Sequence, residues 1–320
     1  MSGCPAGPAR FGWLRAAAVL LPVAMGAGSL AVAGDPGAQP VAVADPEPEP
    51  PVASAPFPVE SNARVGKWIR RYVSEDRETF RVSLAREGRF GELIRGKLKE
   101  RQMPQELLYL AMIESGFSPE ATSRSSAAGI WQFMSPTATD FGLRVDEWVD
   151  ERRDPVRATD AALDYLAVLH QRYGSWYLAV AAYNAGPSRV DQALAGYPGG
   201  HWGNDAAYWD IIGELPPETR DYVPKMLAAS ALARHAEPYG FRVKSAERYE
   251  YDRVWVPGMT LLVSVAEALG VATSVIRELN PHLVRSVSPP GGLYELRVPT
   301  GGAPDVVAAL VGRQKIRMAD

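Results

Sequence analysis

Apolar residues recur at helical spacing through the middle of the chain, and the pattern turns strand-like only near its end. Val65, Trp68, Ile69 and Tyr72 stand at i, i+3, i+4 and i+7, which predicts an amphipathic helix. The same period recurs over about residues 77–86, 90–100, 104–115, 135–141, 157–173, 176–185 and 217–235. Between Ser61 and His235 no run alternates convincingly, so this block is predicted to be mainly α. A change comes at ERYEYDRVWVP, residues 247–257, whose Tyr, Val and Trp content favours a strand. Leu262, Val265, Ala266 and Leu269 then form a helical stripe between Thr260, a candidate N-cap, and Gly270, a stop. A second short helix covers about 273–280, and LYELRVP returns to strand. Strand, helix, helix, strand predicts a small second domain.

The ends read differently. Residues 1–33 carry only Arg10 and Arg15 as charges, followed by the apolar run Ala16–Ala33, which closes on Ala31-Val32-Ala33. A basic start, an apolar stretch and a small-residue site predict a signal peptide cut after Ala33. The alternative, a retained anchor helix, is disfavoured because the run is short and interrupted by Pro22, Gly26 and Gly28. Residues 34–60 form a Pro-rich linker: GDPGAQPVAVADPEPEPPVASAPFP holds eight prolines and is expected to be a disordered tether. The expected division is therefore 1–33 signal peptide, 34–60 linker, 61–240 helical domain, 245–302 small module and 303–320 C-terminal tail.

Composition narrows the function. A length of 320 residues with 47% hydrophobic and 22% charged suits a soluble globular chain of one large and one smaller domain. Lys+Arg 34 against Asp+Glu 37 gives a net charge of −3, and loss of Arg10 and Arg15 would move it to about −5. No bulk positive field is available to hold nucleic acid, so a nucleic-acid partner is not expected. The only cysteine, Cys4, precedes the apolar stretch, leaving the exported form without a disulfide, a thiol nucleophile or a Cys-ligated metal.

One carboxylate stands out. In YLAMIESGF, residues 109–117, Glu114 falls at i+7 from Leu107, on the stripe it shares with Leu110 and Ala111, after Pro104 at the helix start. Its stripe faces inward, and Gly116 follows as a C-terminal stop. Burial and the negative end of the helix dipole both disfavour the charged form, so its pKa is expected to rise from about 4.3 toward the ~6 to 7 that suits a general acid. The alternative is a structural Glu paired with a buried Arg.

Further along, AAGIWQFMSPTA, residues 127–138, joins a Gly turn to aromatic and amide side chains. AVAAYNAGPSRV, residues 179–190, ends a helix at Gly186-Pro187 just after Tyr183 and Asn184. With Glu114-Ser115, Gly129-Ile130-Trp131-Gln132-Phe133, Ala182-Tyr183-Asn184-Ala185-Gly186 and Glu218-Thr219-Arg220-Asp221-Tyr222-Val223 in this order, residues 65–235 resemble the lysozyme-like lytic transglycosylases, in particular the membrane-bound lytic murein transglycosylase D type. The resemblance implies a lysozyme-like fold of the α+β superfamily, mainly α here. It implies Glu114 as catalytic acid and base, with Ser123, Gln132, Met134 and Asn184 toward the sugar cleft. Tyr183 would orient the carboxyl or the reacting sugar, and Glu218 would help to hold the glycan. Simpler roles stay open for the secondary positions: a loop hydroxyl at Ser123, core filler at Met134, a favourable helix-start charge at Glu218.

The implied reaction cuts the bond between N-acetylmuramic acid and N-acetylglucosamine without water and leaves a 1,6-anhydro end. Hydrolytic glycosidases normally use two carboxylates, and between Glu114 and Asp140 the only other acid is Glu120, on a Ser/Pro/Ala loop. A one-carboxylate mechanism fits that better. The alternatives are a hydrolytic muramidase and a catalytically silent wall-binding scaffold. His170, His201, His235 and His282 are scattered and no H-E-x-x-H or G-x-S-x-G occurs, so neither a metal nor another cofactor is expected. The small domain resembles a LysM module, a βααβ unit that binds N-acetylglucosamine-containing glycans, but its opening is VPGMTL, a departure that leaves sugar binding and a purely structural cap both open. The expected partner is the peptidoglycan glycan strand. The expected setting is the periplasm, with peripheral association at the outer membrane, and the expected state is a monomer.

Overall fold

The computed structural model describes residues 57–58, 60–200 and 202–317, with side chains to residue 311; the signal-peptide and most of the linker readings lie outside the described residues. The helices are α1 Ala63–Val73, α2 Arg77–Glu100, α3 Leu108–Ser115, α4 Ser135–Asp140, α5 Pro155–Tyr173, α6 Trp176–Ala185, α7 Pro187–Leu194, α8 Ala206–Ile211 and α9 Pro217–Arg234. A small unit follows: β1 Asp252–Pro257, α10 Leu262–Leu269, α11 Thr273–Leu279 and β2 Leu293–Val298, closed by α12 Ala303–Arg317. The mainly α domain and the βααβ unit are those that the sequence pattern predicts.

The helical domain is built around α6. Trp176 to Ala182 are all buried, and a helix apolar on every side can only be central; α5, α7 and α9 surround it. Its start is fixed by Ser175, whose Oγ accepts from the Leu178 amide at 3.2 Å and donates to Asp205 at 2.6 Å. α3, with Leu108 to Met112 buried, lies between α2 and α9. Phe57 is buried against Tyr177, with ring centroids 5.4 Å apart, and the Tyr177 hydroxyl donates to the Pro58 carbonyl at 2.7 Å.

Two helices differ from the sequence pattern. The stretches 77–86 and 90–100 are one helix, α2, of 24 residues; its glycines do not break it, because tertiary contact outweighs the ~1 kcal/mol propensity cost of each. A Cβ at Gly88 would lie 2.6 Å from the Ser245 Cβ, so glycine there lets the chain leading to the second unit cross α2 closely. α9 contains Pro224, which has no N–H to give to the Arg220 carbonyl. The Tyr208 hydroxyl donates to that carbonyl at 3.1 Å, satisfying it and allowing α9 to continue.

In the small unit, β1 and β2 pair antiparallel with Val254 opposite Leu296 and Val256 opposite Tyr294. Val254 and Val256 are buried while Arg253 and Trp255 point outward, the period-two alternation of a half-covered sheet. The strand is shorter than the 247–257 read from composition: residues 241–251 lie across α2, with the Ala246 and Tyr249 amides donating to the Ala85 and Arg89 carbonyls at 3.0 Å each. Val254, Val256, Leu262, Val265, Ile276, Leu296 and Val298 form a second core, joined by Val306 of α12 and by Val149 of the helical domain. No helix among the described residues is long and apolar enough to cross a membrane.

Candidate active site

Glu114 occupies the last turn of α3. Gly116 follows in the left-handed conformation, φ 58°, and its amide donates to the Met112 carbonyl at 2.9 Å, the αL stop that the Ser-Gly pair predicts. The end of α3 is also tied to the facing loop, because Ser115 Oγ donates to the Ile130 carbonyl at 2.8 Å. Glu114, Ser123 and Gln132 line one groove of about 620 Å³, whose other wall is the start of α2 with Ser83 and Arg86. A Cβ at Gly116 would lie 2.6 Å from Ser83 Oγ, so glycine both permits the backbone turn and brings α2 close.

The Glu114 carboxyl forms no ion pair among the described residues. Its partner is a phenol: the Tyr222 hydroxyl of α9 donates to Glu114 Oε1. Burial pushes its pKa from 4.5 up to about 7, Glu218 pushes in the same direction, and Tyr222 and Lys225 oppose them. The same burial, beside the Glu114 charge, holds the hydroxyls of Tyr222 and Tyr183 far above the ordinary tyrosine range. Both therefore stay protonated and act as donors. The alternative of a Glu neutralised by a buried Arg does not match this arrangement.

Gln132 sits at φ 50°, a strained position for a side chain with a Cβ. Its Nε2 donates to the Gly129 carbonyl at 2.8 Å and to that of Ala121 at 3.4 Å. Behind the turn, Arg152 is buried; it pairs with Asp150 at 2.8 and 2.9 Å and donates from Nη1 to the carbonyls of Ser126 (2.9 Å) and Phe133 (3.2 Å). Gly129 lies so close that a Cβ would fall 1.7 Å from the Arg152 carbonyl oxygen. Trp131, fully buried, donates to Thr159 Oγ1 at 2.9 Å.

The other sequence-predicted residues divide. Ser123 lines the groove, its Oγ accepting from the Ala127 amide at 3.0 Å. Tyr183 donates to the Trp131 carbonyl at 2.9 Å, bracing the Gln132 turn, while the hydrogen bond to the Glu114 carboxyl is made by Tyr222. Asn184 accepts from Thr219 Oγ1 at 2.8 Å, tying the end of α6 to the start of α9. Glu218 is exposed in the first turn of α9, one turn before Tyr222 on the same face. Met134 is 43% exposed at the head of α4. Tyr222 stands in the Glu218–Val223 motif, and its i+4 spacing from Glu218 is the one signal of its role in the sequence. Among the described residues no group of three His, Cys, Asp or Glu side chains could hold a metal ion.

Residues 93–200 match the family model described as the transglycosylase SLT domain, and residues 250–312 match the lytic transglycosylase MltD LysM-like domain. The chain carries both domains. The ordered motifs and the βααβ pattern lead to the same pair. The membrane-bound lytic murein transglycosylase D of Escherichia coli K12 is 34% identical over 243 residues, 75% of this chain and 53% of that protein. The soluble lytic murein transglycosylase of the same strain is 30% identical over 156 residues, 46% of this chain and 23% of that one. This chain thus spans about half the length of the first of these relatives. Among solved structures, the 70 kDa soluble lytic transglycosylase of Escherichia coli gives a TM-score of 0.40 at 24% identity, covering 56% of this chain and 32% of that one. Glu114, Ser123, Gln132, Tyr183 and Asn184 all lie within the matched SLT domain, whereas Tyr222 lies beyond its end at residue 200.

Proposed function

We propose that this chain is a peptidoglycan lytic transglycosylase of the bacterial envelope, with Glu114 as acid and then base. The observation that carries the reading is a carboxyl that lines the groove at the end of α3, takes its hydrogen bond from the Tyr222 phenol and has no ion pair among the described residues; burial raises its pKa to about 7. Such a group is populated in both protonation states near neutrality, the condition for giving up a proton and taking one back.

In the proposed cycle, neutral Glu114 donates its proton to the glycosidic oxygen between N-acetylmuramic acid and N-acetylglucosamine. The C1–O bond breaks, and the leaving sugar departs as an alcohol. The carboxylate then takes the proton of the muramic C6 hydroxyl as O6 bonds to C1, which closes the 1,6-anhydro ring and restores the acid. No water enters. Tyr222 holds Oε1, leaving Oε2 to carry the proton and stabilising the carboxylate present between the two transfers. Ser123 and Gln132 would bind the sugar along the groove, with Met134 and Glu218 at its outer reaches and Tyr183 and Asn184 bracing its walls. The reading takes residues 61–240 as the catalytic unit and 245–302 as a glycan-facing module, in a monomeric, exported chain associated with the membrane surface.

Mass spectrometry of products from purified sacculi tests the reading. Anhydromuropeptides are expected; reducing-end muropeptides would identify a hydrolase, and no product from the wild-type chain would identify a silent scaffold.

A further inference from the structure

The LysM-like module does more than follow the SLT domain along the chain; it holds a segment of that domain by both ends. Residues 150–154 run beneath the cleft. At one end the Asp150 amide donates to the His282 carbonyl at 2.9 Å, and just before it Val149 is buried in the module's core, bridged to Leu283. At the other end Asp154 is 3% exposed and takes Arg297 Nη2 on both carboxylate oxygens, at 2.9 and 2.7 Å. Arg297 is itself fixed by the module and by the segment that crosses α2. Its Nη1 donates to the Tyr249 hydroxyl at 2.9 Å, and its backbone amide and carbonyl are held by the Asn280 side chain at 2.9 and 2.7 Å.

Between these two anchors, the same segment grips the cleft wall. Arg152 donates to the Ser126 and Phe133 carbonyls and presents its own carbonyl to Gly129. Arg153 donates to the Glu120 carbonyl at 2.9 Å and to Thr122 Oγ1 at 2.8 Å. Ala121, Thr122, Ser123 and Gln132 line the groove in front of Glu114. Apart from the packing of Val149, each contact in this series is a hydrogen bond, an ion pair or a close backbone approach, and the Gln132 turn it supports sits at an unfavourable φ that something must maintain.

We propose that the LysM-like module is a positioning element of the cleft, acting through the 150–154 segment, with Arg297 as the positioning residue on the module side and Arg153 on the cleft side. The inference rests on the reading of this groove as the glycan-cleaving site. It assigns the module a task that would persist on a substrate too short to need wall anchorage.

The test uses the full chain and two readouts. Hydrogen exchange follows the Ala128, Gly129 and Phe133 amides, which bond to Phe133, Ala121 and Ala128 carbonyls. Turnover is measured on short, soluble, uncrosslinked glycan strands. Arg297→Met is expected to speed exchange at these amides by at least about tenfold and to lower kcat by about tenfold or more with little change in KM, and Arg297→Lys to recover part of both. Arg153→Ala cuts the bridge at a partly exposed residue without touching the module, and is expected to speed the same amides even if Arg297→Met fails to fold. Unchanged exchange in both Arg153→Ala and Arg297→Lys would overturn the proposal, as would defects confined to intact sacculi. If the wild-type chain cleaves no glycan, the catalytic reading fails while the exchange result still decides the coupling.

Discussion

Two acids at helix ends, Asp154 fully buried and Glu114 partly buried at the groove, meet opposite fates in this molecule. Asp154 caps the start of α5, accepts the Val156 and Arg157 amides at 2.8 and 3.1 Å, and faces Arg297 and His282. The Arg297 guanidinium and those amides outweigh its burial and hold its pKa below the ordinary 3.8. Glu114 stands at the other kind of terminus, in the last turn of α3, with one phenol bonded to it and Glu218 nearby, and burial raises it to about 7. Burial is the leading influence on both; what differs is whether positive partners answer it. Asp154 is therefore a fixed structural charge and Glu114 a group that changes state.

The sharpest way to break this contrast is Glu114→Gln, which keeps the shape and removes the proton. Activity on sacculi is expected to fall by at least about a thousandfold with unchanged circular dichroism; a tenth of wild-type turnover would exclude Glu114 as the acid. The same variant has a second signature. Because the folded pKa lies above the ordinary carboxylate value, ionisation of Glu114 costs native stability from pH 4.5 upward, fully by about pH 7. Glu114→Gln should therefore raise Tm at pH 8 and leave it nearly unchanged at pH 4.

Asp154→Asn should do the reverse. It strands Arg297 in a buried site, and the expected loss is about 3 to 5 kcal/mol, read from urea melts. The LysM-like side also has its own acid limb. His282 is buried beside Asp154 and Arg297, and burial lowers its pKa from 6.5 to about 4. The unfolded chain gains that proton first as pH falls from 6.5 toward 4, so stability declines over this window. Asp154 adds its own loss only below 3.8, where its unfolded form protonates. His282→Gln should flatten the upper limb and spare the lower.

Smaller changes sharpen the Glu114 side. Tyr222→Phe removes the donor that favours the carboxylate, so the alkaline fall in activity, expected near pH 7, should move to higher pH while kcat drops by about tenfold. Lys225 lowers the same pKa without touching the carboxyl. Lys225→Gln should shift the limb in the same sense with a change in kcat of less than about threefold.

What the sequence disclosed follows the same division between local and distant causes. Glu114 could be found because its stripe, Pro104 and Gly116 lie within a dozen residues, and the positive φ at Gly116 is what a glycine in that place announces. The partner that sets its chemistry, Tyr222, is 108 residues away, and no periodicity reports such a meeting. Asp154 caps α5 through local amides, but its pairing with Arg297 spans 143 residues and leaves no mark in the sequence pattern. The gap between the predicted stretches 77–86 and 90–100 falls at Gly88, and the crossing chain at Ser245 gives that glycine its reason within one continuous α2. The short helix α8 carries too few residues for a period to emerge, and residues 303–317, read as a tail, form a helix because Val306 completes the module's core.

Val149 bears on how such proteins can be rearranged. Its codon belongs with the larger domain while its side chain fills the smaller one's interior. A recombination event that exchanged the C-terminal unit at the 241–251 crossing would leave that methyl-bearing plug facing a stranger. Successful chimeras should therefore carry the Trp148–Val149 loop along with the transplanted unit.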